Sequence, residues 1–380
     1  MTENNEKYTQ TLEKVEYQAQ LLKNRIEKNR KNLRKWSRKN KITCYRLYDK
    51  DIPEIPLAID IYTTLSDEIQ TKIDSIKYLE KLDDLISQNS NEVQQYLAEE
   101  KARTYARVYL YERNYEKDEN EETFWLEKMC EAISASLEIP ADNVISKLRR
   151  KQRDVNTNSR KQYTKDENKD SVYKLTQEQG QLFRINLSDY IDTGLFLDHR
   201  NLRKHIRETS SGKNVLNLFC YTGSFSVYAA EGNCKSVESV DLSNTYLDWA
   251  KQNMLLNEFC DENKYTYIRS DVETYLDTLI KNNNRKFDII ILDPPTFSNS
   301  KKMDKTLDIN RDWKNLVEKC LQLLSQNGIL YFSTNSKTLC INEKEINTDK
   351  KFSVTDITPQ TISQDFRNTK IHKAWKFELL

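Results

Sequence analysis

The chain has 380 residues, which is long for one ordinary hydrophobic core and fits two domains. Hydrophobic residues make up 37% of it and charged residues 31%, and no apolar run approaches the roughly 20 residues that a membrane helix needs. Seven cysteines without a Cys-x-x-Cys pair, beside only three histidines, argue against both disulfides and structural zinc. We therefore expect a cytoplasmic globular protein with no metal and no membrane partner, and the polar start of the chain predicts no secretory signal.

The net charge of +1 conceals two strongly basic blocks. Residues Leu21–Lys41 hold ten Lys or Arg side chains against one acid, and Lys147–Lys165 hold eight against one. The balancing acids lie mostly between Asp67 and Glu127. Basic blocks that are separated from an acidic block indicate a polyanion-binding face. The alternative is that these lysines and arginines are simply solvated surface, and the sequence leaves both interpretations open.

The first half of the chain has no glycine before Gly180 and is predicted to form a basic helical extension at 1–40 and a small α+β domain at 41–185. Leu22, Ile26, Leu33 and Trp36 fall on one helical stripe, which leaves Lys and Arg on the other faces. An acidic helical insertion is expected near 65–100. It includes the predicted helical stretch Leu65–Ala98, which has four apolar residues on one face: Ile69, Ile73, Ile76 and Leu79. The other predicted elements are the strands Cys44–Tyr48, Pro56–Tyr62, Tyr105–Tyr111, Val144–Leu148 and Val172–Leu175 and the helix Phe124–Leu137.

The remainder, 186–380, alternates apolar β runs with helical stretches. The predicted strands are Val215–Phe219, Val237–Val240, Tyr265–Ile268, Phe287–Leu292 and Ile329–Phe332. The predicted helices between them are Phe225–Ala230, Tyr246–Leu256, Val272–Ile280 and Trp313–Leu324. Fully apolar strands separated by amphipathic helices predict a Rossmann-like α/β domain, whose parallel sheet is covered on both faces. In such sheets ligands bind outside the carboxyl ends of the strands.

The first three strand ends carry groups suited to a nucleoside cofactor. Gly223 is a single glycine in the first turn, which fits a close backbone approach but not the three-glycine cradle of a dinucleotide. Asp241 ends the second strand and could accept from two ribose hydroxyls, and Asp271 ends the third and could accept from an adenine amino group; either could instead cap a helix. The residues predicted to bind S-adenosyl-L-methionine in this domain are Asn217, Phe219, Tyr221, Thr222, Gly223, Asp241, Leu242, Asp271, Val272 and Asp293.

The fourth strand ends in Asp293-Pro294-Pro295-Thr296-Phe297. Two successive prolines remove two backbone donors and stiffen the loop. The result is an acceptor-rich rim beside an aromatic ring, which is suited to gripping and stacking a flipped base. Phe297 alone could equally be a core residue. We predict Asp293, Pro294, Pro295 and Phe297 as the catalytic residues of an RNA methyltransferase.

Several motifs identify a family. LNLFCYTGSFSV, VDLSNTYLDWAKQN, FDIIILDPPTFSNSKKM and TISQDFRN closely resemble the guanine-N7 methyltransferases of 23S rRNA, and so do DYIDTGLFLDHRNLR (Asp189–Arg203) and CYRLYDKDIPE (Cys44–Glu54). In many bacteria this activity resides in the C-terminal half of a bifunctional guanine-N2/guanine-N7 enzyme. The similarity runs from about Leu33 to the end of the chain. It implies a small α+β RNA-binding domain, a class I S-adenosylmethionine-dependent methyltransferase domain, and a guanine substrate in domain V of 23S rRNA.

The chain also departs from the bifunctional pattern. The guanine-N2 half is absent, so the resemblance implies a stand-alone enzyme that acts on 23S rRNA or a large-subunit precursor, beside a separate guanine-N2 methyltransferase chain. The acidic stretch near 65–100 has no counterpart in the family pattern.

The closest alternative chemistry is methylation of cytosine C5 by an enzyme of the same architecture. That reaction needs a cysteine nucleophile, which in those relatives follows the fifth strand. Here Tyr331–Lys337 contains no cysteine, Cys340 comes a few residues late, and Cys220 belongs to the cofactor turn. Guanine N7 has a free lone pair and needs no general base, which favours N7 chemistry. A non-catalytic rRNA-binding assembly factor and an adenine-N6 methyltransferase are further alternatives.

Two arginines and one basic block complete the predicted site. Arg200, in the motif with Asp198 and His199, could bind the methionine carboxylate of the cofactor, or could form a salt bridge between domains. His199 is not needed as a base. Arg367 could contact RNA phosphate or cap a helix. The predicted RNA-binding residues are Lys147, Arg149, Arg150, Lys151, Arg153, Lys161 and Arg367.

Overall fold

The computed structural model describes residues 2–66, 68–69, 71–88, 92–111, 118–149, 173–190, 192–282, 285–298 and 306–380. These residues form two compact units. The first comprises the described residues up to 149 together with 173–180 and 185–190, and the second comprises 181–184 and the described residues from 192 to 380. No helix in these ranges is both long enough and apolar enough to cross a membrane. The predicted domain boundaries stay predictions.

The first unit packs helices against a four-stranded sheet. Its elements are α1 (Thr2–Lys39), β1 (Cys44–Asp49), β2 (Leu57–Thr63), α2 (Lys72–Ser87), α3 (Glu92–Ala102), β3 (Thr104–Tyr111), α4 (Glu119–Leu137) and β4 (Val144–Arg149). The strand order is β1-β2-β3-β4, antiparallel except for the parallel pair β3–β4. The parallel pair requires a crossover, which contains α4.

The apolar stripe predicted on the first helix is confirmed. Leu22 and Ile26 of α1 are fully buried and Leu33 nearly so, in one cluster with residues of α4 and the sheet. Trp36 packs against the same cluster while partly exposed. Burying each of the aliphatic side chains contributes about 1.5–3 kcal/mol relative to exposure. The stripe therefore holds α1 in the fold, and its lysines and arginines lie on the remaining faces.

The prediction of one helix over Leu65–Ala98 is wrong at its start. The N–H of Leu65 donates to the carbonyl of Leu175 at 2.9 Å, so this residue extends a strand-like pairing instead of beginning a helix. Helix α2 begins only at Lys72. Ile69 and Ile73, predicted to share one helical face, differ in exposure, at 5% and 53%. Tertiary pairing has overridden the local helical pattern here.

A hairpin of β5 (Tyr173–Glu178) and β6 (Gln181–Asn186) follows, of which only β5 was predicted. Its turn residues Gln179 and Gly180 both have positive φ, at 50° and 88°. Two central residues of positive φ are typical of the tight turns that match the twist of antiparallel strands.

The second unit contains a seven-stranded sheet. Its elements are α5 (Arg200–Thr209), β7 (Asn214–Leu218), α6 (Ser224–Glu231), β8 (Ser236–Asp241), α7 (Asn244–Leu256), β9 (Tyr265–Arg269), α8 (Val272–Asn282), β10 (Phe287–Leu292), β11 (Phe297–Ser298), β12 (Leu307–Asp308), α9 (Ile309–Leu323), β13 (Leu324–Thr334), β14 (Phe352–Asp356), α10 (Thr358–Thr361) and β15 (Lys373–Leu379). The strand order is β14-β15-β13-β10-β7-β8-β9. The strands from β13 to β9 are parallel, as predicted, whereas the unpredicted β14 and β15 are antiparallel.

Both faces of this sheet are buried. Along β10, Ile290 and Leu292 belong to the apolar cluster on one face, and Ile289 and Ile291 to the cluster on the other. Strand β7 lies between β8 and β10, so the chain leaves it first in one direction across the sheet and later in the other. Ligands of such sheets bind at the carboxyl ends of the strands beside this switch point.

Candidate active site

The strand register brings four predicted ends together. Leu218 pairs with Leu292 and with Val240, and Leu292 pairs in turn with Phe332. The residues that follow these four positions are Phe219, Asp293, Asp241 and Ser333. The sheet therefore places the cofactor turn, the two predicted carboxylates and a serine of the fifth parallel strand side by side at one edge.

The turn after β7 has an unusual backbone. Phe219 and Tyr221 have positive φ, at 55° and 50°, and Gly223 follows at 73°. Non-glycine residues in this region cost about 1–3 kcal/mol each and cluster at functional sites. A Cβ atom on Gly223 would lie 2.7 Å from the Cβ of Ala250, so only glycine fits against α7. The missing side chain at Gly223 therefore lets the turn pack closely against α7.

Asp241 anchors that turn. Its Oδ2 accepts the N–H of Tyr221 at 3.0 Å and its Oδ1 accepts the N–H of Ser243 at 2.9 Å. Burial raises the pKa of Asp241 to about 6, and hydrogen bonds from the backbone of Ser243, Tyr221 and Leu242 only partly offset it. The cap of α7 is Ser243, not Asp241. The two carboxylate oxygens offer about four lone-pair sites, which these backbone N–H groups do not fill completely. Ribose hydroxyls could donate to these lone pairs, so the residues fit the predicted adenosine group.

Two other predicted cofactor residues, Asn217 and Thr222, already donate side-chain hydrogen bonds within the protein. Asn217 is fully buried, and its Nδ2 donates to Ser226 Oγ at 2.9 Å. Thr222 Oγ1 donates to the carbonyl of Gly194 at 2.5 Å, and the Thr222 carbonyl accepts from Asn253 Nδ2 at 2.9 Å. The bonds of Thr222 fix the turn to the segments that contain Gly194 and Asn253. The placement of Thr222 argues against a direct contact of its side chain with a cofactor. Asn217 Oδ1 is buried without a hydrogen-bond partner among the described residues, so the predicted cofactor contact of Asn217 stays a prediction.

At the end of β9 the structure supports the capping interpretation. Asp271 Oδ1 accepts the N–H of Thr274 at 3.0 Å and its hydroxyl at 3.1 Å, which is the geometry of a helix N-cap on α8. Val272 is buried in the core. Asp271 is half-buried, so a second contact with an adenine amino group remains part of the prediction.

The predicted catalytic loop begins at a carboxylate with defined partners. Asp293 Oδ1 accepts the hydroxyl of Ser333 at 2.5 Å and lies 3.4 Å from Nε2 of His199. Burial alone would raise the pKa of Asp293, but the charge of His199 and the hydrogen bond from Ser333 lower it below the ordinary value. Pro294 is buried, whereas Pro295 and Phe297 are half-buried. The loop therefore presents an ionised carboxylate and an accessible ring.

His199 lies between two carboxylates. Its Nδ1 is 3.2 Å from Asp198 Oδ2 and its Nε2 is 3.4 Å from Asp293 Oδ1, while the ring is 2% exposed. Burial would lower the pKa of His199, but Asp293 and Asp198 raise it to about 10. Neither ring nitrogen of His199 is aligned with a carboxylate oxygen for a hydrogen bond. The distances to Asp198 and Asp293 are nevertheless those of ion pairs. We therefore interpret His199 as an imidazolium bound mainly by charge.

A second histidine completes this cluster. His372 Nδ1 lies 3.1 Å from Asp198 Oδ2, His372 Nε2 lies 2.9 Å from Thr361 Oγ1, and the rings of His199 and His372 stack at 4.6 Å. Ligand atoms of Asp198, His199 and His372 lie within 4.8 Å of one another, a spacing that could hold a metal ion. Both histidines already face the same carboxylate oxygen at close range. We interpret the cluster as an ionic network, and the absence of a bound metal stays a prediction.

Arg200 is placed differently from its predicted role. The guanidinium is fully buried, 2.7 Å from Asp365 Oδ1 and 3.0 Å from Ser363 Oγ. This ion pair lies within the second unit and argues against the predicted contact of Arg200 with a methionine carboxylate. The alternative of a salt bridge between domains stays a prediction. Arg367, two residues beyond Asp365, is exposed.

Most of the predicted RNA-binding block is not covered by the structure. Lys147 is half-buried on β4, and Arg149 ends the same strand. Arg150, Lys151, Arg153 and Lys161 lie outside the described residues. The RNA contacts predicted for this block stay predictions.

Comparison with known proteins places the chain among related sequences and folds. A family model described as S-adenosylmethionine-dependent methyltransferase matches residues 140–363. Ribosomal RNA large subunit methyltransferase K of Neisseria meningitidis serogroup B is 39% identical over 93% of this chain and 85% of that protein. Methyltransferase K/L of Pseudomonas entomophila is 37% identical over 95% of this chain, but the match covers only 42% of that protein.

The fold is matched as well. A solved structure described as a methyltransferase in complex with SAH aligns with a TM-score of 0.65 at 18% identity, over 95% of this chain and 81% of that chain. The predicted resemblance and the predicted Rossmann-like class I methyltransferase fold are thereby confirmed. The individual site residues are not tested by these matches.

Proposed function

The chain belongs to the S-adenosylmethionine-dependent methyltransferases, and we propose that it forms 7-methylguanosine in domain V of 23S rRNA. Relatives named as large-subunit rRNA methyltransferases support the rRNA substrate. The cytoplasmic location, the choice between free rRNA and a large-subunit precursor, and a separate guanine-N2 methyltransferase chain as partner belong to the same proposal.

The observation that carries the N7 chemistry is the ionised carboxylate of Asp293. S-adenosylmethionine supplies an electrophilic methyl group, and the lone pair of guanine N7 can accept it without losing a proton. The base becomes positively charged as this happens. A fixed negative charge at the strand end stabilises the developing charge, and a site with little water makes this effect larger. His199 and Ser333 hold Asp293 in the ionised form that this role requires.

The neighbouring residues position the base. Phe297 is half-buried on β11 and could stack on a flipped guanine, while the Pro294 carbonyl and Asp293 define the edge of the slot. Positioning the reacting atoms can contribute about 7–11 kcal/mol in favourable cases. The strained backbone at Phe219 and Tyr221 and the carboxylate of Asp241 would hold the nucleoside part of the cofactor.

The cysteines do not favour the cytosine-C5 alternative. Cys220 is buried, and burial followed by the charge of Asp241 raises its pKa well above the ordinary value, so it stays a thiol. Beside Asp293, at the end of the fifth parallel strand, the structure places Ser333. Cys340 is exposed and lies six residues after β13 ends at Thr334.

The decisive experiment uses the purified chain, labelled S-adenosylmethionine and 23S rRNA from cells that lack the enzyme. Products are mapped by borohydride and aniline cleavage, which breaks the strand at 7-methylguanosine. One new break in domain V is the expected result. If the labelled methyl group enters the RNA but aniline does not cleave it, the enzyme methylates N6, N2 or C5 of a base instead of guanine N7. Tight cofactor binding without any label, on free rRNA and on precursor particles, would favour the assembly-factor alternative.

A variant pair tests the predicted base slot. Phe297→Ala should lower kcat by about 5- to 150-fold, since stacking of one base on an aromatic ring contributes about 1–3 kcal/mol. Cofactor affinity should not change. Phe259→Ala, which removes a half-buried ring that contacts Tyr265 elsewhere in the same unit, is the matched control. Equal kcat values for the two variants would remove Phe297 from the mechanism.

A further inference from the structure

The first unit contains two adjoining hollows beside α1, with volumes of about 560 and 450 Å³. They share Lys31, Arg34, Arg38 and Asp83. The smaller hollow is lined by five cations of α1 against a single acid. We use the name basic groove for this smaller hollow, whose lining residues are Lys31, Arg34, Lys35, Arg38, Lys39 and Asp83.

The cations of the basic groove are crowded on one side of the helix. Lys31 and Lys35 are four residues apart, as are Arg34 and Arg38, so each pair lies about one turn apart on the same face. Like charges at this spacing destabilise a helix by a few tenths of a kcal/mol per pair. The pKa of Arg38 is lowered by burial and then by the charge of Arg34, with Glu100 only partly opposing this. Such crowding is relieved when an anion binds.

The protein neutralises little of this charge. Arg38 lies 3.8 Å from Glu100. In the part of the chain that the structure describes, Lys31, Arg34 and Lys35 have no carboxylate within 4.0 Å and are exposed. Structural ion pairing therefore does not account for the cluster, whereas elsewhere in this unit Arg46 is buried against Asp60 at 2.7 Å.

The larger hollow opens beside this row and has a different lining. Its lining combines cations with apolar and neutral polar residues such as Ile42, Thr43 and Tyr45. It also contains four acids, which leaves the smaller hollow as the more basic of the two; these acids are Glu27, Asp83, Glu100 and Glu138. A row from Lys31 to Lys39 extends about 12 Å along the helix. A repeating linear polyanion fits such a row better than a single small anion does, and a nucleic acid strand also carries bases that could use the neutral surface.

We propose that the basic groove of α1 binds the phosphodiester backbone of an RNA strand, as a contact separate from the one predicted at Lys147–Lys165. The proposal rests on the proposed function for the identity of the polyanion. Arginine suits phosphate because its guanidinium can donate two parallel hydrogen bonds, and lysine adds point charges along the row. An acidic protein segment is the competing occupant, and the test below separates the two.

The test compares two full-length variants that lose the same charge. Lys31→Gln/Arg34→Gln/Lys35→Gln removes cations of the basic groove, and Lys14→Gln/Lys23→Gln/Lys28→Gln removes three from α1 outside it. Binding to a transcript of domain V is measured over a range of salt concentrations. Each lost phosphate contact should reduce the salt slope by about 0.7, so the groove variant should bind roughly 100-fold more weakly at 0.1 M salt. Its cofactor affinity and its kcat at saturating RNA should equal those of the control.

The outcomes separate this proposal from the proposed function. Equal RNA affinity and salt slope in the two variants would overturn the basic groove, whatever the wild-type enzyme methylates. Polyglutamate that displaces the transcript from the wild-type chain at equal charge concentration would also overturn it in favour of an acidic protein partner. If the wild-type chain methylates no guanine N7 but the groove variant alone loses RNA affinity, the groove stands and the proposed function falls.

Discussion

Asp241 and Asp293 are the same side chain at the ends of the two strands that flank β7 in one sheet, yet their environments differ. Asp241 is surrounded by backbone N–H groups, and burial raises its pKa to about 6. Asp293 is also shielded from water, but His199 lies 3.4 Å away and Ser333 donates to it, and its pKa falls below the ordinary value. The comparison shows that burial does not fix the charge of a carboxylate here. A neighbouring cation does.

This difference suits two kinds of ligand. A carboxylate held by neutral donors can take further neutral donors, such as the hydroxyls of a ribose, at its remaining lone pairs. A carboxylate paired with an imidazolium keeps its negative charge throughout the physiological pH range and can stabilise a base that becomes cationic. We therefore expect substitutions at Asp241 to affect cofactor binding and substitutions at Asp293 to affect turnover.

The largest expected effect is that of Asp293→Asn. The substitution keeps the size of the side chain and removes its charge. Loss of one preorganised electrostatic group typically costs about 10²–10³ in kcat, so a decrease of that order is expected while cofactor affinity changes little. Rates at saturating rRNA and cofactor, together with calorimetric cofactor binding, provide the measurement. Weakened cofactor binding with normal kcat would reverse the assignment of the two aspartates.

Asp241→Asn should show the opposite pattern. Loss of hydrogen bonds to a charged acceptor costs about 1.5–3 kcal/mol, so cofactor affinity should fall by roughly 10- to 150-fold with a smaller change in kcat at saturating cofactor. Circular dichroism checks that the turn held by Asp241 stays folded. Unchanged affinity would show that Asp241 acts only through its bonds to Tyr221 and Ser243.

The matched control for Asp241→Asn is Asp271→Asn at the next strand end. Asn caps a helix about as well as Asp does, so a residue that only caps α8 should tolerate the change with cofactor affinity within about twofold. A tenfold loss of cofactor affinity would instead confirm the predicted contact between Asp271 and an adenine amino group, in addition to its bonds to Thr274.

The fold of the second unit was largely predictable because its strands are short, apolar and regularly spaced. The run Phe287–Leu292 was predicted with the bounds that the structure shows. A strand buried on both faces is a short continuous apolar run, and here polar residues mark both of its ends. Strands β14 and β15 were missed because both mix polar with apolar residues, although most of β15 is buried. In the first unit, the helical pattern around Ile69 and Ile73 misled because Leu65 pairs with a residue more than 100 positions away.

The sequence predicted which strand ends form the site, but it did not predict which charged side chains pair with one another there. Strand ends could be found because parallel strands share one carboxyl edge, which is how Asp241 and Asp293 were identified. The partners of these residues come from distant segments. Ser333 reaches Asp293 through strand register, and Asp365 neutralises Arg200 from 165 positions away. Sequence spacing carries no signal for such pairs, so Arg200 was assigned to the cofactor and His199 was set aside.

The smallest expected effect concerns His199 and the stability of the second unit. Because its folded-state pKa of about 10 lies above the ordinary 6.5, its ion pairs stabilise the folded protein fully below pH 6.5. This stabilisation is lost as the pH rises towards 10. His199→Gln removes it, so the variant should melt several degrees lower at pH 6.5, at about 2–4 °C per kcal/mol, and the two melting temperatures should converge near pH 10.

The control for this prediction is His205→Gln, which removes a half-buried histidine of α5 outside the cluster of Asp198, His199 and His372. Its difference in melting temperature from the wild type should vary less with pH than that of His199→Gln. Activity gives an independent measure of the same ion pair. Without the imidazolium, burial would raise the pKa of Asp293, so kcat of His199→Gln should begin to fall at a higher pH than that of the wild type as the solution is acidified. The other charged groups facing His199, Asp198 and through it His372, are unchanged in this variant. The idea fails if kcat of His199→Gln falls at the same acidic pH as that of the wild type and the difference in melting temperature does not change with pH. His199 would then only fill space, and another group would have to keep Asp293 ionised.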